Sequence, residues 1–273
     1  MHQFLTIIGI ILIGMALRSC RRRIFRKLGA LTYLLSTGLV TYFLTGGNIP
    51  LSIATIFIWF FLPWIELISR VRKMRLPLEN TLNEQRRPQL DDFPEAYQTI
   101  SELESLNYEH SSDYGWDWGN STQHYSFYWH PEERIVVAVC LCKQSNIAFS
   151  YVTISSRDSD GNIYRTSNFP FSPTLKNTPN VAWNQIACRH CSLDSSLRCH
   201  QKFIQKKGGS LESLMMPDPE TLDSEVESDM QEQIRFNLKS GIITPAEDQK
   251  FRYSFRGLCY LWRQFIKDMI RLS

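Results

Sequence analysis

The sequence predicts an α+β protein in which N-terminal transmembrane helices precede a cytosolic antiparallel β-meander with flanking helices. Three observations predict it. Apolar residues gather in three runs before residue 75, β-branched and aromatic residues broken by turn chemistry fill the middle, and helical periodicity brackets that block. Whole-chain averages hide the division. The 273 residues carry a net charge of +3 and a mean hydropathy of -0.23, values typical of a soluble protein. Yet residues 1–75 hold ten of the 30 Lys and Arg and one acid, Glu66, which leaves 20 basic against 26 acidic side chains in residues 76–273. The expected organisation is a membrane region over 1–75, a linker over 76–91 and a cytosolic α+β domain over 92–273, large enough for its own core.

The expected membrane helices cover about residues 3–17, 28–44 and 51–68. A crossing helix needs about 20 predominantly apolar residues. The second and third runs approach that length with their flanking Thr and Ser, whereas the first, at roughly 22 Å, crosses only with local thinning of the bilayer. Basic clusters at 18–27 and 70–75 belong inside by the positive-inside rule, and the uncharged turn at 45–50 outside. The expectation is a multi-pass protein of the cell (inner) membrane with its C-terminal domain in the cytoplasm and the lipid bilayer as a partner. The first run is not expected to be a signal peptide, because arginines stand where a cleavage site should be. Trp59 and Trp64 suit an interfacial belt, and Glu66 lies one turn before Arg70 and pairs with it. Seven cysteines without a framework spacing suit a reducing compartment.

Asp92 as N-cap and Pro94 in the first turn predict a helix to about Leu106, with Phe93, Tyr97, Ile100, Leu103 and Leu106 on its buried face. Strands are expected over 123–129, 134–142, 149–155 and 162–167, with Pro131-Glu-Glu and Asp158-Ser-Asp-Gly161 as turns. Alternation places Tyr125, Phe127 and Trp129 on the core face. Residues 169–186 are extended. Helices follow over 194–207 and 220–240, each stopped by glycine, then a small hairpin at 242–243 and 250–255 and a helix over 257–272.

A helix ending in Leu103-x-x-Leu106, the meander, Asp160-Gly161 with Thr166-Ser167-Asn168, a helix carrying His200, and the Gly241-Ile-Ile to Arg256-Gly257 stretch occur in this order. Together they resemble an uncharacterised family of bacterial membrane-anchored proteins with N-terminal hydrophobic segments and a cytosolic α+β domain. The resemblance spans roughly residues 92–260 and implies neither activity nor ligand.

Cys188-Arg-His-Cys191 followed by Cys199-His200 is the most suggestive chemical cluster. A Cys-x-x-Cys knuckle grips zinc through two thiolates, and Cys199 or His200 would complete a tetrahedron; His190, Cys140 and Cys142 are other candidate ligands. Against this, Cys199 and His200 are adjacent and point to different helical faces, so unpaired thiols in a reduced compartment are the plainer reading, and a redox pair a third. Asp158 to Asn162 matches the start of a calcium loop but lacks its closing Glu, which favours a hairpin turn. Tyr114, Trp116, Trp118 and the 125–129 aromatics serve a core before a binding groove. No hydrolase, nucleotide or metalloprotease signature occurs, and the acidic 220–240 helix argues against nucleic acid as a partner.

No catalytic residue and no cofactor are therefore expected, zinc being the exception that the cluster allows. The preferred function is a non-enzymatic interaction or scaffold domain at the cytoplasmic face, with a protein partner. The alternative is a membrane-anchored enzyme or zinc-dependent module built on Cys188, Cys191, Cys199 and His200. The last helix carries a wide apolar face bordered by Arg256, Arg263, Lys267 and Arg271, which suits either the domain core or an anionic membrane interface.

Overall fold

A computed structural model describes residues 2–20, 22–79, 81–118, 121–144, 147–186 and 192–272. The chain begins with α1 (His2–Arg18), α2 (Arg23–Leu44) and α3 (Ile49–Ser69), then β1 (Leu76–Pro77), β2 (Asn83–Glu84) and α4 (Pro94–Ser105). The strands β3 (Glu109–Trp118), β4 (Ser121–His130), β5 (Ile135–Gln144), β6 (Ile147–Arg157), β7 (Ile163–Ser167) and β8 (Val181–Gln185) follow. The remainder is α5 (Leu193–Lys206), α6 (Leu222–Lys239), β9 (Ile243–Ala246), β10 (Lys250–Tyr253) and α7 (Phe255–Leu272). These elements form two compact units, one of residues 1–75, 241–244 and 252–273, the other of residues 76–240 and 245–251.

In the first unit, α1, α2 and α3 pack in succession through small residues. A Cβ on Gly14 would lie 2.4 Å from Thr32 Oγ1, and one on Gly29 2.7 Å from Arg18 Cγ, so only glycine lets α1 and α2 approach this closely. α3 opens on Asn48, whose Oδ1 accepts the Leu51 N–H at 3.1 Å, with Pro50 in the first turn. It is the one helix among the described residues long and apolar enough to cross a membrane, within a helical stretch from Ile49 to Lys73. The multi-pass expectation is therefore corrected. α1 has 17 residues, about 26 Å, short of the hydrocarbon thickness. α2 has the length but is diluted by Thr32, Ser36, Thr37 and Thr41, whose hydroxyls turn back onto backbone carbonyls of their own helix at 2.7–3.1 Å.

The second unit is built on a seven-stranded sheet in the order β2-β3-β4-β5-β6-β7-β8. Every pairing is antiparallel except β7–β8, which is parallel because the intervening extended segment crosses back before pairing. The segment expected as a linker contributes β1, which pairs with β10, and β2, which extends the sheet beside β3. Asp92 does not cap α4: the cap position is Phe93, without a side-chain bond, and Asp92 instead meets Lys143 Nζ at 2.6 Å.

The main core lies on the sheet face opposite to the one expected. Tyr128, Ile135, Val137, Val139, Leu141 and Ile154 pack against Phe93, Ala96, Ile100 and Leu103 of α4 and Leu193 and Leu197 of α5. Tyr125 and Phe127 point to the other face, where they stack on each other at 6.3 Å. Alternation gave the two faces of β4 correctly but could not say which one α4 and α5 cover, since both are rich in rings.

Candidate functional site

Cys188 and Cys191 lie outside the described residues, while Cys199 and His200 sit side by side on α5. His200 has no exposed surface, and hydroxyls occupy both ring nitrogens: Ser156 Oγ at 3.1 Å from Nε2 and Thr166 Oγ1 at 2.9 Å from Nδ1. One tautomer satisfies every group. Thr166 accepts from Asn184 Nδ2 and donates to Nδ1, Nε2–H donates to Ser156, and Ser156 donates to the Arg134 carbonyl at 3.3 Å. The ring is then neutral, and burial pushes its pKa down from 6.5 to about 4, since a charged ring would lose its hydration. This His200 is a strut joining α5 to β6 and β7. The neighbouring Cys199 Sγ accepts from Asn184 Nδ2 at 3.6 Å.

The zinc expectation is accordingly withdrawn. Among the described residues no group of three His, Cys, Asp or Glu is placed to hold a metal ion, and both ring nitrogens of His200 are already bonded; His190 lies outside the described residues. Nor does a disulfide pair occur among them: Cys20, Cys140, Cys142, Cys199 and Cys259 are free. Cys140 and Cys142 are buried on β5, and burial raises both thiols, Cys142 to about 11 and Cys140 further, with the adjacent Cys142 adding to its rise. Such thiols stay protonated and unreactive.

The sequence reading missed a polar cluster around Asp113 of β3. Its Oδ1 accepts from Ser126 Oγ at 2.5 Å and Arg87 Nε at 3.4 Å, and lies 3.2 Å from His110 Nε2 and 3.4 Å from His124 Nε2. Burial alone would raise this carboxyl, but His124, Ser126, Arg87 and His110 together hold it well below the ordinary carboxylate range. The residue types are those of a Ser–His–Asp triad in the wrong order. A nucleophilic serine must give its proton to histidine, whereas Ser126 is wholly buried and gives its proton to the acid. The Asp113↔Ser126 register brings them together, a pairing invisible until strand register is known. The carboxylate of Asp158 is likewise used internally, by Asp160 N, Asn162 N, Asn162 Nδ2 and Tyr164 Oη at 2.8–3.0 Å. That is a hairpin-turn brace.

On the other sheet face, a cleft of about 80 Å³ lies among Phe127, Ser155, Arg157, Arg165, Met216 and Asp229. Asp229 of α6 bridges Arg157 at 3.0 Å and Arg165 at 2.5 Å. Burial lowers the Arg165 pKa, Asp229 opposes this, and the like charge of Arg157 adds to it. Met215 and Met216 stand half exposed at the rim.

In the first unit α7 docks on α3. Trp262 Nε1 donates to the Phe60 carbonyl at 2.7 Å, about one turn before Pro63 of the same helix. Trp262 also stacks on Phe61 and Trp64, with centroids 6.3 Å apart in both pairs, and Trp64 stacks on Phe255 at 6.0 Å. Ser254 Oγ accepts the Gly257 N–H at 3.0 Å, and a Cβ on Gly257 would lie 2.0 Å from the Ile242 carbonyl oxygen. The apolar face of α7 was legible in sequence; its partner, α3, was not.

Comparison with protein-family models, curated proteins and solved structures finds no match for this chain. The chain carries no catalytic motif, and its described residues hold no metal-binding cluster.

Proposed function

We propose that the chain is a bilayer-attached, non-enzymatic interaction or scaffold module. In this reading α3 enters the membrane and the seven-stranded unit offers its surface to a protein partner. The observation that carries it is the surface of α3. Only 11% of its apolar 18-residue window is buried within the protein, and Phe57, Ile58, Phe61, Leu62 and Ile65 are 44–68% exposed. A stripe of this size exceeds what soluble monomers usually leave in water, and lipid is the solvent that relieves it.

The seven-stranded unit suits binding better than catalysis. Its two clefts among the described residues, of about 80 Å³ beside α6 and about 220 Å³ between Pro94, Phe149 and Pro170, are both smaller than the 300–1,000 Å³ of an ordinary small-molecule site, and the exposed Met215 and Met216 are adaptable contact groups. Flotation tests the attachment: the full-length chain is mixed with phosphatidylcholine vesicles and centrifuged through sucrose. Wild type rises with the vesicles, and Phe57→Asp/Ile58→Asp does so far less. Wild-type protein left at the bottom of the gradient overturns the attachment.

A further inference from the structure

We propose that α7 is an anionic-phospholipid-binding interfacial helix, in which Arg263 and Lys267 hold lipid phosphates beside an apolar groove and fix the bilayer surface at the level of residues 60–64 of α3. The proposal rests on the membrane attachment above and adds which lipid is bound and how deep α3 goes.

Trp262, Arg263, Ile266, Lys267 and Ile270 line a shallow groove of about 360 Å³ along α7. Arg263 and Lys267 are exposed and lie one turn apart, about 5–6 Å, close enough to share one phosphate. Neither is ion-paired among the described residues, whereas Arg271 of the same helix is bonded to Asp268 at 2.6 Å. The groove is continuous with the exposed apolar surface of α3 through the Trp262 contacts with Phe60 and Phe61. An apolar groove with two cations at its lip, joined to a membrane-entering helix, matches a lipid with an acyl chain and a negative headgroup.

The helix contacts set the depth. Phe255 meets Trp64 and Trp262 meets Phe61, so about 10 Å along α7 matches about 4–5 Å along α3, and the helices cross obliquely. If α3 were sunk to Ser69, Arg263 and Lys267 would lie in hydrocarbon, which is costly for charged groups. With Trp59, Trp64 and Trp262 at the interface, where Trp is favoured, both cations reach the phosphates. The part of α3 left below, residues 49–58, is about 15 Å long, roughly one leaflet of the ~30 Å hydrocarbon core.

The test uses the full-length chain in mixed phosphatidylcholine–phosphatidylglycerol vesicles at low salt, with one lipid at a time brominated and tryptophan quenching recorded. The expected preference for phosphatidylglycerol is about 25-fold, near fivefold per cation. It falls to within about threefold for Arg263→Gln/Lys267→Gln and persists in Lys206→Gln/Lys207→Gln, which changes exposed charges at the C-terminal end of α5. Bromines near the headgroup should quench more than bromines near the chain end. Equal quenching by both lipids, equal loss in the α5 variant, or stronger quenching by deep bromines overturns the proposal, and circular dichroism verifies that the variants are folded. A chain that floats with phosphatidylcholine vesicles but shows no lipid preference defeats this inference alone; one that never floats defeats the attachment itself.

Discussion

Acid should weaken this protein partly through His200, and a single substitution isolates that share. The ring is buried and neutral, with both nitrogens bonded to hydroxyls, and its pKa is lowered from 6.5 to about 4. As pH falls, the unfolded chain therefore takes up the proton first. The stabilisation is complete above pH 6.5 and is lost as pH drops towards 4, a displacement worth roughly 3 kcal/mol. His200→Leu removes the titration and also breaks the bonds with Ser156 and Thr166, costing about 2 kcal/mol at pH 7. Urea unfolding of full-length wild type and variant in neutral detergent, at pH 7, 6, 5 and 4, gives the comparison, with effects of the carboxylates common to both subtracted out. The wild-type advantage should shrink steadily below pH 6.5 and vanish or reverse near pH 4. Parallel curves over the whole range would refute the assignment of a buried neutral His200.

Four further outcomes follow from the same contacts. Asp113→Ala removes the acceptor of Ser126 and Arg87 and the charge that faces His110 and His124, and should cost about 2–3 kcal/mol at neutral pH, read from the urea midpoint. Because the folded pKa of Asp113 is depressed, its contribution is present above pH 3.8 and fades below it, so the difference between wild type and variant should narrow at pH 3. Asp229→Asn leaves Arg165 buried beside Arg157 without the opposing charge and should cost about 3 kcal/mol or more by the same assay; an unchanged midpoint would contradict the bridge. Iodoacetamide at pH 8 should label Cys20 rapidly and spare Cys140 and Cys142 in the native protein, as mass spectrometry of digests would reveal. Trp262→Phe keeps a ring but loses the bond to the Phe60 carbonyl, and should lower stability by about 1 kcal/mol in thermal melts.

Local patterns made much of the fold legible in advance. The three N-terminal apolar helices, the strands β4 to β7 and the helices α4 to α7 follow from residue spacing, turn chemistry and helix-stopping glycines, which act within a few residues of each other. What failed depended on distant partners. β3 carries His110, Ser112, Asp113 and Gly115, poor strand formers by composition, and is held by its ladder to β4. β8 pairs parallel with β7, a geometry that no hairpin signal announces. The Cys/His cluster drew attention because its residues are close in sequence, yet α5 turns His200 inward to hydroxyls of β6 and β7. The Asp113 cluster went unread because Arg87, His110, Asp113, His124 and Ser126 span forty residues and meet only through strand register. Hydropathy found α2 as readily as α3, but the hydroxyl-rich face of α2 keeps it below the apolar density of a span.

Attachment to a bilayer through α3 is the central claim, and carbonate extraction at high pH tests it most directly. Membranes from cells producing the full-length chain are washed at pH 11, which strips proteins held by charge alone, and then sedimented. The account predicts wild-type protein in the pellet and Phe57→Asp/Ile58→Asp largely in the supernatant. Wild type released as completely as a peripheral protein would contradict it.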